Sequence, residues 1–426
     1  MAFINYLIIV ILVIVLLELI AYYIVKFTRK RFQWLITKKD DEMPLIDKEA
    51  LEKTEYFEKG FDSELGWVRK PNTSGNDTIF YQKDDGNWDY RKAPWTINKR
   101  GSRNNQDLEN LNDNLISCYG DSFTFSRQVN DNETWCYYLS KLTKSNVLNW
   151  GIGNHGMDQA LLRLEREFTK NKTKVVIMAN VPDTISRVVS YWKHFYEYGN
   201  VWAFKPRYEL DVNKQLRLVP NLIDKPEKFY ELEKYIDELK KHDYFYKEKF
   251  LKDLIKFPYS FYVLKNSKRN LSIIYKVAKQ SIMKKFSQKY KATEPMDSDA
   301  MLVIRRINLL WAVRLYNEAY AVDLMEKLVD RFIELSKKLK FKPVFVFLPQ
   351  KNEALYYKNE GEFYMPFFKK ISQKIDTIDI TTPIINHPDI DSLYSEKTVY
   401  GAHISNEGNQ FVAKIIYDTL KEKKIL

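Results

Sequence analysis

Residues Phe3 to Val25 form one almost unbroken apolar run, and no other feature restricts the possible folds of this chain so severely. About 23 residues at ~1.5 Å each match the ~30 Å hydrocarbon core of a bilayer. A run of this length is rare in a soluble core, so it predicts a transmembrane helix rather than a buried one. No charged segment precedes it and no small-residue cleavage site follows it, which predicts a retained anchor rather than a removed signal peptide. Lys26, Arg29, Lys30 and Arg31 follow at once, with Tyr22 and Tyr23 at the same border. By the positive-inside bias the body of the chain faces the cytoplasm. The extracytoplasmic side is the alternative, because large domains translocate regardless of flanking charge. Asn5 and Glu18 interrupt the run. Glu18 has two readings: a mark of a helix partner within the membrane, or, more simply, a carboxyl that is protonated or snorkels to the interface.

The 426 residues leave room for a large domain with insertions beside the anchor. A net charge of +12 is compatible with nucleic acid, anionic lipid headgroups or general solvation. The lysines are scattered, and the sequence has no zinc spacing, recognition-helix pattern or RNP-like aromatic segment. Nucleic acid is therefore the weakest of the three and is not expected as a partner. Cys118 and Cys136 are the only cysteines and form neither a metal spacing nor a disulfide framework.

Residues 27 to about 55 are charged and aperiodic, and read as a juxtamembrane linker. Residues 60 to 110 are turn-rich, with Lys70–Asn76 and Asp84–Asn87 as turns between short strands. From about residue 112 strands alternate with helices. The strands are Leu115–Tyr119, Asn146–Trp150, Lys174–Met178, Pro343–Leu348 and Lys374–Ile380. The helices are Thr134–Leu142, Gln159–Phe168, Tyr316–Leu339 and Glu407–Lys421, the last with Ser405 as N-cap. Such alternation predicts a parallel α/β sheet with helices on both faces. A helical insertion of about 188–315 interrupts it, longer than any compact connection, and suits a lid or substrate wall. Within it, Lys265–Lys291 reads as the solvated face of a helical cap, with contact to anionic lipid as the alternative.

Three blocks carry chemistry. Gly120-Asp121-Ser122 directly follows a predicted strand, so the Ser122 hydroxyl is expected exposed at a strand-to-helix turn with backbone amides pointing toward a developing oxyanion. Asn149 to Gly156 is a second strand running through a Gly-rich loop into a helix; the alternative is a tight loop that binds nothing. Near the C-terminus, His403 to Gly408 opens the last helix.

With these three blocks in this order, the sequence resembles the SGNH (GDSL-type) hydrolase superfamily over roughly residues 112 to 421. The resemblance implies a flavodoxin-like three-layer parallel sheet and hydrolysis or transfer of acyl groups on lipids, glycans or small esters. It implies Ser122 as nucleophile and His403 as general base. The oxyanion donors are the Ser122 amide, Asn154 where the family usually has Gly, and Asn180 in a third block that lacks the usual Gly-Asn-Asp, with Thr184 a weaker substitute. Where the family places Asp three residues before the His, this chain has Tyr400. An orienting carboxylate fixes the imidazole tautomer, so either a backbone carbonyl or a carboxylate such as Asp379, Asp389 or Asp391 takes that role, or activity is changed. His155 reads as a surface loop residue, with a place lining the pocket as the alternative; His194, His242 and His387 show no ligand spacing, so neither metal nor cofactor is expected. Arg187, Arg305 and Arg306 read as structural ion-pair partners, with an anionic substrate group as the alternative.

The leading expectation is a single-pass membrane serine esterase or acyl hydrolase, meeting lipid through its N-terminal helix and acting on an acyl ester of lipid or glycan. The alternatives are an O-acyltransferase on the same fold, or a non-catalytic binding or scaffold protein with a degenerate site.

Overall fold

The computed structural model describes residues 2–37, 41–82, 88–105, 108, 114–286 and 299–426, so the expected turn Asp84–Asn87 lies outside the described residues. The chain forms two compact units.

Met1–Ile46, Trp192–Trp202 and Glu231–Asn308 build the first unit. The apolar run is one helix, Ala2–Arg31, long and apolar enough to cross a membrane. Its Leu, Ile and Val side chains from Ile4 to Ile20 stand exposed, as a lipid-facing helix requires and a soluble core helix forbids. Its C-terminal end is different. Val25, Phe32 and Leu35 pack with Ile255, Val263, Ile273, Val277, Ala300 and Ile304. Within the stretch 27 to about 55, expected as a juxtamembrane linker, Phe32 and Leu35 are thus packed. Arg29 pairs with Asp41 at 2.6 Å, and Asp41 also accepts from the Thr37 amide at 3.0 Å and the Tyr198 hydroxyl at 2.7 Å. The few apolar residues there have no helical or strand period, so their burial left no pattern to read. Glu18 also departs from the simpler expectation. It does not snorkel: its carboxylate accepts from the amides of Tyr259 at 2.6 Å and Ser260 at 3.0 Å, and from the Ser260 hydroxyl.

The second unit comprises Asp47–Tyr191, Ala203–Tyr230 and Leu309–Leu426. Of the expected insertion about 188–315, residues 188–191, 203–230 and 309–315 belong to this unit, with the hairpin Arg207–Leu210/Leu216–Val219. The centre is a parallel sheet of β1 (Asn114–Gly120), β2 (Asn146–Gly151), β3 (Val175–Asn180), β4 (Lys342–Phe347) and β5 (Asp376–Asp379), in the order β5-β4-β3-β1-β2. This is the flavodoxin-like order.

Successive strand residues face opposite sides. Ile116, Cys118, Val147, Val175, Ile177, Val344 and Val346 pack on one side against Trp135 and Leu139 of helix Trp135–Thr143 and Val412, Ile416 and Leu420 of helix Asn406–Glu422. Each such side chain, fully buried, contributes roughly 1.5–3 kcal/mol. On the other side Tyr119 stacks on Trp150, Arg163 of helix Met157–Glu167 lies over Trp150, and Phe332 of helix Ala319–Leu339 meets Phe341. Helices therefore cover both faces. Ser405 caps the last helix by accepting from the Gly408 amide at 3.0 Å. A long antiparallel hairpin, Ser74–Gln82 with Trp88–Thr96, supplies Asp77 to the site described next.

Candidate active site

The order β2-β1-β3 reverses winding direction between β1 and β3, which opens a crevice at their C-terminal ends. Gly120 ends β1 so close to the Ala179 carbonyl and Thr124 Oγ1 that a Cβ has no room. Asp121 then caps the turn Ser122–Phe125, one oxygen accepting from the Phe123 amide at 2.8 Å. Its other oxygen accepts from the Val181 amide at 2.9 Å and from Arg187 Nη1 at 3.1 Å. Asp121 thereby ties the ends of β1 and β3 together and fixes the residue after it.

That residue is Ser122, which as a whole retains 6% of its surface. His403 Nε2 lies 2.9 Å from Ser122 Oγ, and its ring stacks on Phe123 with centroids 4.7 Å apart. Two side chains 281 positions apart in sequence thus meet at the crevice. Burial, and then the nearby Arg127 charge, push the His403 pKa down to about 3, against smaller opposing effects of Asp77 and the Gly401 carbonyl. The imidazole is neutral at pH 7, the form that can accept a proton. Its Nδ1 is buried without a hydrogen bond of good geometry.

The carboxylates near His403 in sequence are engaged elsewhere. Asp379 binds the Tyr364 hydroxyl at 2.7 Å and caps Thr381 and Thr382, Asp389 closes a turn at Asp391, and Asp391 pairs with Lys351 at 2.9 Å. The backbone of His403 is held instead by Gln128, whose Oε1 accepts from the His403 amide at 2.9 Å and from the Ser395 hydroxyl. Gln128 Nε2 donates to Glu396 at 3.0 Å, and its amide donates to Asp77 at 3.2 Å. Asp77 pairs with Arg127 at 2.9 Å. Arg103, buried beneath this loop, donates from Nε to Asp131 at 2.8 Å, from Nη1 to the carbonyls of Phe125 at 2.7 Å and Ser126 at 2.6 Å, and from Nη2 to that of Val129 at 2.6 Å. Sequence reasoning missed Arg103, Gln128 and Asp77. Their one visible signal was charged or amide residues inside turn-rich stretches, and that is common.

Of the oxyanion candidates, the Ser122 amide sits at the first position of its helical turn, where it has no intrahelical acceptor. Asn154 has φ of 64°, the left-handed backbone its residue type tolerates. Asn180 is fully buried at the end of β3 with both side-chain amide atoms unpartnered. Thr184 Oγ1 accepts from the Met157 amide at 3.0 Å. His155 is buried rather than on the surface: its Nε2 meets the Trp67 carbonyl at 2.8 Å while Trp67 Nε1 donates to the Gly153 carbonyl at 2.8 Å, so the pair braces the second loop. Arg187 pairs with Asp121 and Asp183, the structural reading; Arg305 and Arg306 lie on helix Asp299–Leu315. Among the described residues no His, Cys, Asp and Glu cluster could hold a metal ion.

The fold and site define a doubly wound α/β domain with a serine–histidine pair at its switch point. No family model and no curated protein matches the chain. Solved structures similar to it include a protein described as lipolytic, of the G-D-S-L family, from Desulfitobacterium hafniense DCB-2 (12% identity, TM-score 0.34, covering 72% of this chain and 100% of that one). Another is a lipase/acylhydrolase from Enterococcus faecalis (9% identity, TM-score 0.29, covering 73% and 96%). At these values the functional reading stands on the site's own geometry.

Proposed function

We propose that this chain is a membrane-anchored serine esterase or acyl hydrolase acting on ester-linked acyl groups of lipid or glycan. The observation that carries the reading is the 2.9 Å separation of Ser122 Oγ and a neutral His403 Nε2. Ser122 Oγ attacks the ester carbonyl while its proton passes to Nε2. The tetrahedral oxyanion accepts from the Ser122 amide, with Asn154 and Asn180 as further donors. Collapse expels the alkoxide, which takes the proton from the imidazolium and leaves an acyl-Ser122. Water then attacks to release the acid; a sugar hydroxyl in its place gives O-acyl transfer by the same intermediate. With no carboxylate on Nδ1, the imidazolium is less stabilised than in a full triad, and a slow enzyme is expected. That same lack favours the second reading, a binding protein on the same fold. The helix Ala2–Arg31 anchors the chain, with the cytoplasmic side preferred by its flanking charge. A fluorophosphonate probe tests the proposal: covalent labelling of the full chain that disappears in Ser122→Ala supports it, and no labelling of folded protein supports the binding reading.

A further inference from the structure

We propose that the segment Phe257–Leu264 is immersed in the same membrane leaflet as the C-terminal half of the N-terminal helix, a second lipid contact beside the anchor. The inference rests on the anchoring proposed above and goes beyond it. Glu18 lies eight residues before Lys26, which is ~12 Å along a helix. With Lys26, Lys30 and Arg31 at the headgroups, the Glu18 carboxylate sits about 10 Å inside the hydrocarbon. The amides of Tyr259 and Ser260 donate to that carboxylate at 2.6 and 3.0 Å, and Tyr22 meets Tyr259 with ring centroids 5.3 Å apart. The short helix Tyr259–Lys265 therefore starts at the depth of Glu18, whichever side the body faces.

The composition of the segment agrees with that depth. Phe257, Phe261 and Leu264 are 71, 55 and 63% exposed, which is costly for three large apolar side chains in water and favourable in lipid. They stand exposed as the apolar side chains of the N-terminal helix do, while Val263 turns inward to the packed cluster. Lys256 and Lys265 bound the segment with their ammonium groups 5.4 and 5.9 Å from the ring centroids of Tyr262 and Phe261, so the immersion is no deeper than their stems can span to the headgroups. Polar groups in hydrocarbon must be satisfied within the protein. Glu18 satisfies the first amides of the helix, and those amides with the Ser260 hydroxyl satisfy Glu18.

The test attaches an environment-sensitive dye to single introduced cysteines in the full chain, reconstituted in phosphatidylcholine vesicles with or without acyl-chain doxyl lipid. The native Cys118 and Cys136 are buried and leave the introduced thiol as the reactive one. Three positions are compared: Leu12→Cys in the anchor, Phe261→Cys in the segment, and Glu233→Cys on the exposed surface of the same unit. Dyes at 12 and 261 are expected to lose at least half their emission to doxyl lipid and to resist aqueous iodide, with the reverse at 233. Lipid quenching at 12 but only iodide quenching at 261 overturns the inference and leaves the anchor intact. Iodide quenching at both overturns the anchor and the inference together.

Discussion

Arg103 is the side chain on which the serine loop most depends, and its removal has a calculable cost. Its guanidinium has four recorded acceptors: Asp131 and the carbonyls of Phe125, Ser126 and Val129. It also lies over the Phe125 ring, 4.5 Å from the centroid. Breaking a buried pair by deleting one partner costs about 3–5 kcal/mol, and the abandoned carbonyls push Arg103→Met toward the top of that range. The Thr96 amide and hydroxyl, which donate to Asp131 at 3.0 and 2.6 Å, pull it back. The expected loss is about 4 kcal/mol, a fall on the order of 10 °C in unfolding midpoint. Arg103→Lys keeps the charge, but a point ammonium cannot span four acceptors, and about half the loss is expected. The assay is thermal unfolding of the full chain in detergent, followed by tryptophan emission. Adding Asp131→Asn to Arg103→Met should cost less than the sum of the two single changes, because the orphaned charge is gone. An Arg103→Met protein within ~0.5 kcal/mol of wild type, the range of an ordinary surface change, would refute this account of the loop.

Gln128→Leu keeps the volume but removes the acceptor for the His403 amide, so fluorophosphonate labelling of Ser122 should slow ~10–100-fold, as a small misplacement does, while the unfolding midpoint falls by only a few degrees; an unchanged rate contradicts the positioning role. Gly120→Ala puts a methyl into the Ala179 carbonyl and should cost more than ~4 kcal/mol, read as failure to recover folded protein; a folded, active variant contradicts the close approach. His403 has a folded pKa below its ordinary value, so the unfolded chain binds the proton more tightly and stability falls as pH drops from 6.5 toward 3. His403→Gln should flatten that fall in a pH series of thermal scans, and an identical slope contradicts it.

The fold was legible because its strands are apolar, short and separated by helical patterns; all five expected strands match those observed to within two residues at each end. The pairing of Ser122 with His403 was implied by the family resemblance, carried by motifs at two element boundaries. What surrounds the pair was not legible. Gln128 reaches His403 across 275 positions, and Arg103 works through backbone carbonyls that carry no side-chain signature. The carboxylate search near His403 failed for the same reason: the carboxylate whose charge reaches the imidazole is Asp77, from a hairpin far upstream. Glu18 was ambiguous because its partners, Tyr259 and Ser260, bind it through backbone amides and one hydroxyl.

The central claim is that Ser122 is made nucleophilic by a neutral imidazole that lacks a carboxylate. Its most direct measurement is the pH dependence of the rate at which a fluorophosphonate inactivates Ser122 in the full chain, with and without His403→Gln. The account predicts a rate that persists well below pH 6.5, following the depressed His403 pKa, and falls at least a hundredfold in the variant, in line with general-base contributions of ~10²–10⁴. A rate indifferent to His403 would contradict it.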